Sequence, residues 1–132
     1  MSNIITFGTF DMFHIGHTNI LNRAREYGDN LYVGVSSDCF TITKKGVAPV
    51  DSLETRLKNV RNNPSVTDVF VEESLELKQD YIDIYHADIL VMGDDWKGKF
   101  DDLNCSVIYL PRTENISSTL LRQQLEYSGS KT

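Results

Sequence analysis

The segment from Thr6 to Leu21, TFGTFDMFHIGHTNIL, places His14 and His17 three residues apart with Gly16 between them. An apolar run precedes the pair and a helical pattern follows it. The first turn of a helix leaves N–H groups without intrahelical partners and carries a partial positive charge, which suits a phosphate. Imidazoles at this spacing around that turn can both aim at one anion. Each donates a hydrogen bond to a phosphoryl oxygen, and more strongly when protonated. Gly8 and Gly16 let the backbone approach a ligand. Phosphoryl and nucleotidyl transfer ask for positioning, charge neutralisation and usually Mg²⁺. No side-chain nucleophile is needed when the second substrate brings its own phosphate. Two other readings fit the pair taken alone. It can be a chance pair, or two ligands of a zinc ion that needs a third and a fourth. The remaining histidine, His86, is distant and falls at the expected end of a helix. The chain has no Walker loop, no GxGxxG and no HExxH.

The elements that must position this pair can be read from periodicity and punctuation. NIITFG (Asn3 to Gly8) is β-branched and ends at glycine, which predicts a buried strand. Between His17 and Tyr27 the apolar Ile20, Leu21 and Ala24 recur at helical spacing, and YGDN stops the helix. LYVGVSS (Leu31 to Ser37) predicts a second strand, and TITKKGVAPV (Thr41 to Val50) a loop. Ser52 can cap a helix to about Asn62, with Leu53, Leu57 and Val60 on one face. VTDVFV (Val66 to Val71) alternates as a strand. Leu75 to Tyr85 predicts a helix anchored by Leu75, Ile82 and Tyr85. ADILVMG (Ala87 to Gly93) predicts a buried strand, DDWKGKFDDLN a polar loop, and CSVIYL (Cys105 to Leu110) the last strand. Ser117 then opens a closing helix with Leu120, Leu121 and Leu125, and the tail SGSKT frays.

Strands alternating with helices imply a parallel sheet with right-handed crossovers. The fold expected is α/β: one Rossmann-like, doubly wound parallel sheet of about five strands with helices on both faces. Ligands of such sheets sit beyond the carboxyl ends of the strands, at the switch point, and the histidines fall there.

Bulk properties narrow the partners. The 132 residues suit one domain with its own core, and 40% apolar with 24% charged residues is ordinary for a soluble chain. A net charge of −6 disfavours nucleic acid and anionic membranes as general partners. No apolar run is long enough to span a bilayer, and MSNIITFG lacks the features of a signal peptide. A cytoplasmic protein is expected. Cys39 and Cys105 form no CxxC pattern and are expected to be two buried free thiols.

GTFDMFHIGH resembles the signature of the HxGH nucleotidyltransferases in its cytidylyltransferase form. RTENISSTLLR (Arg112 to Arg122) is similar to that family's RTExISST element, and VMGDDWKGKFD (Val91 to Asp101) resembles the glycerol-3-phosphate branch. Motif order and spacing match from the first strand to the last helix. The resemblance implies a cytidylyltransferase domain over residues 1–127 with a tail at 128–132. It implies CTP, Mg²⁺ or another divalent cation bound with CTP, and a small phosphate-ester acceptor, first of all sn-glycerol 3-phosphate. The product would be CDP-glycerol for cell-surface polymers, made by a homodimer. Ethanolamine phosphate, a sugar-alcohol phosphate, an adenylyltransferase and a nucleotide sensor without turnover are the alternatives.

The resemblance also assigns roles. His14, His17, Lys44 and Arg112 would be catalytic, the histidines stabilising charge at the α-phosphorus and Lys44 reaching over the phosphates. Thr9 and Phe10 would contact the nucleotide, with Thr9 on a phosphate. Asp11 would lie near the metal or orient the turn, and no metal ligands are assigned. Gly16 and Lys45 would also bind. Arg112, Thr113, Ile116, Ser117, Ser118 and Thr119 would hold the base and phosphates, and Asp94 and Trp96 would shape the cytidine and acceptor side. Ser117 to Thr119 also read simply as helix caps. Lys44 and Lys45, without the motifs, read as a solvated pair; Arg56 resembles an arginine of the family's ExxR-like segment and, taken alone, reads as a surface arginine; Trp96 reads as a core plug in surroundings too polar to suit one. Several positions depart from the family: Leu53 for a tyrosine, Asn115 for a glycine, Arg61 for a helix arginine with shifted register, and Lys78 as an approximate match to an acceptor-binding lysine.

Overall fold

The computed structural model describes residues 2–93 and 96–110. Within them lie β1 (Asn3–Gly8), α1 (Ile15–Arg25), β2 (Asn30–Ser36), α2 (Asp38–Lys45) and α3 (Leu53–Arg61). These are followed by β3 (Asp68–Glu72), α4 (Lys78–Ile84), β4 (Ile89–Gly93) and β5 (Ser106–Leu110). All five strands are parallel, in the order β3-β2-β1-β4-β5. The chain winds outward from β1 to β3, then crosses back to β4 on the other side of β1. That reversal makes the switch point between the ends of β1 and β4. Ile4 to Val91 of the two strands pair in register there, as Ile4↔Ile89, Ile5↔Leu90 and Thr6↔Val91.

Alternation along the strands feeds two cores, because successive side chains leave on opposite faces. Ile4, Leu31, Val33, Val35, Val69, Val91 and Leu110 pack under α1 and α3 with Leu21, Ala24 and Val60. Ile5, Phe7, Leu90 and Met92 face the other way, with Ile82 of α4 and Phe100. β1 is buried on both faces, with Thr6 the one polar side chain among Ile4, Ile5 and Phe7. Gly34 of β2 makes room on the second face: a Cβ there would stand 2.5 Å from the Phe7 ring and 2.8 Å from Phe70. Among the described residues no helix is long and apolar enough to cross a membrane.

Four expectations need correction. Residues 41–45, expected in a loop, are the second half of α2, with Ser37 as N-cap and Gly46 in the left-handed region (φ 81°) as C-cap. The β-branched and polar run FTIT hides this helix from a propensity reading. Helix α1 begins at Ile15, because His14 itself is the cap. The helix expected from Leu75 starts as a 3₁₀ turn over Leu75–Leu77 and becomes α-helical at Lys78. Cys39 is exposed and Cys105 half-buried, so they are free thiols but not buried ones. The closing helix at Ser117 and the tail lie outside the described residues.

Candidate active site

The turn from β1 into α1 is unusual in its backbone. Phe10 (φ 55°) and Met12 (φ 47°) both take the left-handed conformation, which costs a non-glycine residue energy and persists only where neighbours impose it. Asp11 between them is one such constraint. Its carboxylate accepts from the backbone N–H of Val50 (2.7 Å), Asp51 (2.8 Å) and Met12 (3.1 Å). Met12 N–H also donates to the Asp51 carboxylate at 3.1 Å. Burial pushes the Asp11 carboxyl up, but the three N–H donors and Arg56 outweigh it and hold the group below its ordinary value. Asp11 therefore orients the turn and ties it to the connector between α2 and α3.

His14 and His17 cap α1 reciprocally. His14 Nδ1 accepts from Gly16 N–H at 3.0 Å, and His17 Nδ1 accepts from His14 N–H at 3.2 Å. This is the capping-box arrangement, built here from imidazoles. An Nδ1 that accepts cannot carry the proton, so both rings are the Nε2–H tautomer. The rings stack with centroids 4.0 Å apart and 27° between planes. Burial lowers the pKa of His14. His17 is pushed down to about 4 by burial, helped by His14 and Lys45. At neutral pH the pair is thus two uncharged donors, where the sequence suggested that imidazolium would add strength. The Phe10 ring is buried and packs edge-on against His17, 5.4 Å between centroids, so it supports the pair from beneath.

Two further residues complete this side. Thr9 Oγ1 is buried and has no hydrogen-bond partner among the described residues. A buried hydroxyl without a partner is rare, and a ligand oxygen above the turn would satisfy it. Arg56, expected at the surface, is fully buried. It donates to the carbonyls of Ser36 (2.7 Å), Thr9 (3.1 Å) and Asp51 (3.2 Å), and pairs with Asp38. One guanidinium therefore ties the ends of β1 and β2 to α2 and the connector. Its five donors in a fixed fork suit that task. Helical spacing could not reveal this, since Arg56 occupies a polar position next to Leu57.

A small cleft of about 30 Å³ opens beside the turn, lined by Lys44, Glu72, Lys78, Phe7, Trp96 and Phe100 among others. Lys44 Nζ donates to Ser36 Oγ at 2.7 Å and lies 4.9 Å from the Phe40 ring centroid. Burial lowers its pKa to about 8 against the pull of Glu72. Lys45, one residue on, is exposed. Lys78 is buried and bonded to Glu72 at 2.7 Å. Trp96 is half-buried with its ring 5.6 Å from Phe100, a wall of the cleft rather than a plug. Glu72 and Ser36 were not singled out in the sequence. The available signal was a charged residue ending an otherwise apolar strand at the carboxyl edge of the sheet. Arg61 ends α3 and is exposed, away from this cleft. Asp94, Arg112, Thr113, Asn115, Ile116, Ser117, Ser118 and Thr119 lie outside the described residues.

A histidine pair on a helix start, a threonine hydroxyl without a partner among the described residues, and two lysines thus gather at the carboxyl edge of a parallel sheet, where ligands of such sheets bind. The chain belongs to the cytidylyltransferase-like family, which matches residues 5–124. It is 44% identical over 128 residues to the glycerol-3-phosphate cytidylyltransferase of Bacillus subtilis, covering 95% of this chain and 98% of that one. To the glycerol-3-phosphate cytidylyltransferase of Staphylococcus aureus it is 41% identical over 135 residues, 99% of this chain and 100% of that one. Among solved structures, a lipopolysaccharide core biosynthesis protein of Thermoplasma volcanium superposes with a TM-score of 0.70 at 23% identity, over 86% of this chain and 97% of that one. That likeness extends the fold.

Proposed function

We propose that the protein transfers the cytidylyl group of CTP to sn-glycerol 3-phosphate, giving CDP-glycerol and pyrophosphate. The observation that carries this is the reciprocal histidine cap. It sets two stacked, neutral imidazoles on one helix start at the switch of the sheet. Full-length identity to glycerol-3-phosphate cytidylyltransferases supports the choice of substrates. An oxygen of the acceptor's phosphate attacks the α-phosphorus in line. The bond from that phosphorus to the bridging oxygen breaks, and pyrophosphate carries the electron pair away. His14 and His17 donate to the oxygens on which charge grows, and being neutral and pre-aligned they need no reorganisation. Thr9 Oγ1 meets a phosphate oxygen. Lys44 and Lys45 approach the phosphates from the end of α2, and Lys44 and Lys78 hold the acceptor.

Mg²⁺ bound with CTP would screen the charge of the triphosphate. Among the described residues no three His, Cys, Asp or Glu side chains converge. The Asp11 carboxylate oxygens are committed to backbone N–H groups. These residues do not build a metal cage, which fits an ion that arrives on the nucleotide and keeps its waters. The product would serve cell-surface polymer synthesis in the cytoplasm. A two-fold homodimer, adding burial that a domain of this size has in short supply, is also part of this reading. Light scattering at micromolar concentration should give twice the chain mass, and a monomer mass contradicts it.

The test of the reaction is incubation with each nucleoside triphosphate and a panel of phosphate esters, read by mass spectrometry. CDP-glycerol and pyrophosphate should form from CTP and sn-glycerol 3-phosphate in preference to every other combination. Preference for ATP, or for ethanolamine phosphate, would replace this reading by a sister activity. Binding of CTP without product would make the protein a sensor.

A further inference from the structure

The ion pair of Glu72 and Lys78 is nearly inaccessible, with side-chain exposures of 1% and 3%, yet it borders the cleft at the carboxyl edge of the sheet. Removing two charges from water is expensive, and such a pair is weak evidence of a gain in stability. Its surroundings give it another use. Lys78 Nζ lies 3.7 Å from the Phe7 ring centroid and 4.8 Å from that of Phe100. Among the described residues Glu72 is its one hydrogen-bond partner. Beyond the pair, Lys44 Nζ donates to Ser36 Oγ at 2.7 Å, and Glu72 acts on Lys44 as an opposing charge. Ser36 Oγ also donates to Gly8 O at 3.3 Å, at the end of β1. Two ammoniums and one carboxylate thus line one cleft, which leaves a single excess positive charge.

We propose that Glu72 is a positioning residue of the acceptor site: it holds Lys78 through their ion pair and faces Lys44 as the opposing charge in the same cleft, against the aromatic wall where both lysines meet the acceptor's phosphate. The inference rests on reading the cleft as the acceptor site. Without a carboxylate, two ammoniums this close would repel each other, and burial would favour their neutral forms. A neutral amine contributes little to a phosphate dianion. Burial does press both lysines downward, and Glu72 is the opposing charge for each. The other charges acting on Lys44 are Lys45 on its own helix, Lys78 from α4 and Arg56 from α3, all positive, so among the described residues none of them replaces Glu72. Arg56 is itself paired with Asp38. A carboxylate beside the lysines also keeps the empty cleft from holding the acceptor too tightly, since the incoming phosphate must share each ammonium with it.

Glu72→Gln keeps the shape and removes the charge. Its kcat/KM for sn-glycerol 3-phosphate should fall by about tenfold or more at neutral pH, the scale for breaking a buried charge pair, with KM for CTP little changed. The basic limb of the acceptor pH profile should move to lower pH, and Glu72→Asp should bring it part of the way back. In the ligand-free protein, the NMR titrations of the Lys44 and Lys78 side chains should move in the same direction. If Glu72→Gln does not fold, Glu72→Gln with Lys78→Gln removes both charges, and the Lys44 titration should still move down. Lysine titrations and a basic limb unchanged from wild type would overturn the role of Glu72. So would shifted titrations with acceptor kinetics intact. Wild-type protein that turns over no phosphate ester would instead overturn the functional reading, and the lysine titrations would still decide whether Glu72 holds the charges.

Discussion

At the scale of single residues, the two histidines serve the fold and the reaction with different atoms. Nδ1 caps the helix, and in the proposed reaction Nε2 donates to the substrate. Alanine at either position removes both, so turnover should fall by about a hundredfold or more, and the helix start should lose about 1 kcal/mol with its cap. His14→Asn separates the two. Asparagine is a strong N-cap but cannot place a donor where Nε2 stood, so thermal stability should be kept while initial rates fall as in the alanine variant. Full activity in His14→Asn would show that the imidazole edge is not used. The same dual role sets a pH dependence. His17 takes up a proton near pH 4 in the folded protein and near its ordinary value of 6.5 when unfolded. Between those values the unfolded chain binds more protons, so stability present above pH 6.5 is lost as pH falls toward 4. Urea midpoints measured at pH 7 and pH 5 should differ in that direction, and less so in His17→Asn.

At the scale of elements, Arg56 and Asp11 decide whether the parts of the site stay together. Arg56→Ala would leave the Thr9 and Ser36 carbonyls buried without their donor and Asp38 without its partner. A loss of about 3 kcal/mol or more is expected from urea denaturation, with activity lost alongside. A change of under about 0.5 kcal/mol, the scale of an ordinary surface substitution, would return Arg56 to the status its sequence position suggests. The contrast shows what sequence can and cannot carry. The five strands, α1 and α3 follow from alternation, helical spacing and Ser52, which do cap and face as read. The histidine pair falls at the β1–α1 junction as its motif requires. What escaped reading depends on partners distant in the chain. Arg56 is buried because three carbonyls from separate segments converge on it. Helix α2 holds together through Ser37, Gly46 and the burial of Phe40 and Thr41, against weak local propensity. The start of α1 was missed by two residues because histidine is not among the usual capping residues.

Across the molecule, the site is a meeting of segments that the sheet brings to one edge. Thr9 to His17 come from the β1–α1 turn, Lys44 from α2, Asp51 from the connector, and Glu72 from the end of β3. A nucleotide bridging the histidines and the lysines would stiffen that edge as a unit. With Mg²⁺ present, CTP should slow amide exchange at Met12, Val50 and Asp51, while ATP at the same concentration does so far less. Equal protection by both nucleotides would remove the case for cytosine selectivity. Discrimination of this kind arises when buried polar groups are left unpaired by the wrong base.

The central place of β1 also governs how the protein comes to exist. Its first neighbour, β2, is near in sequence, but its second, β4, arrives 85 residues later, where Thr6 Oγ1 donates to Val91 O. A growing chain can therefore assemble β1, β2 and β3 while the other edge of its buried central strand stands open. An open, untwisted apolar edge invites pairing with another chain. The most hazardous interval in the life of the molecule is thus its synthesis, before residue 91 emerges. Slower translation or a weakened β4 would be felt as aggregation of nascent chains, in a protein whose finished form shows no such tendency at that strand.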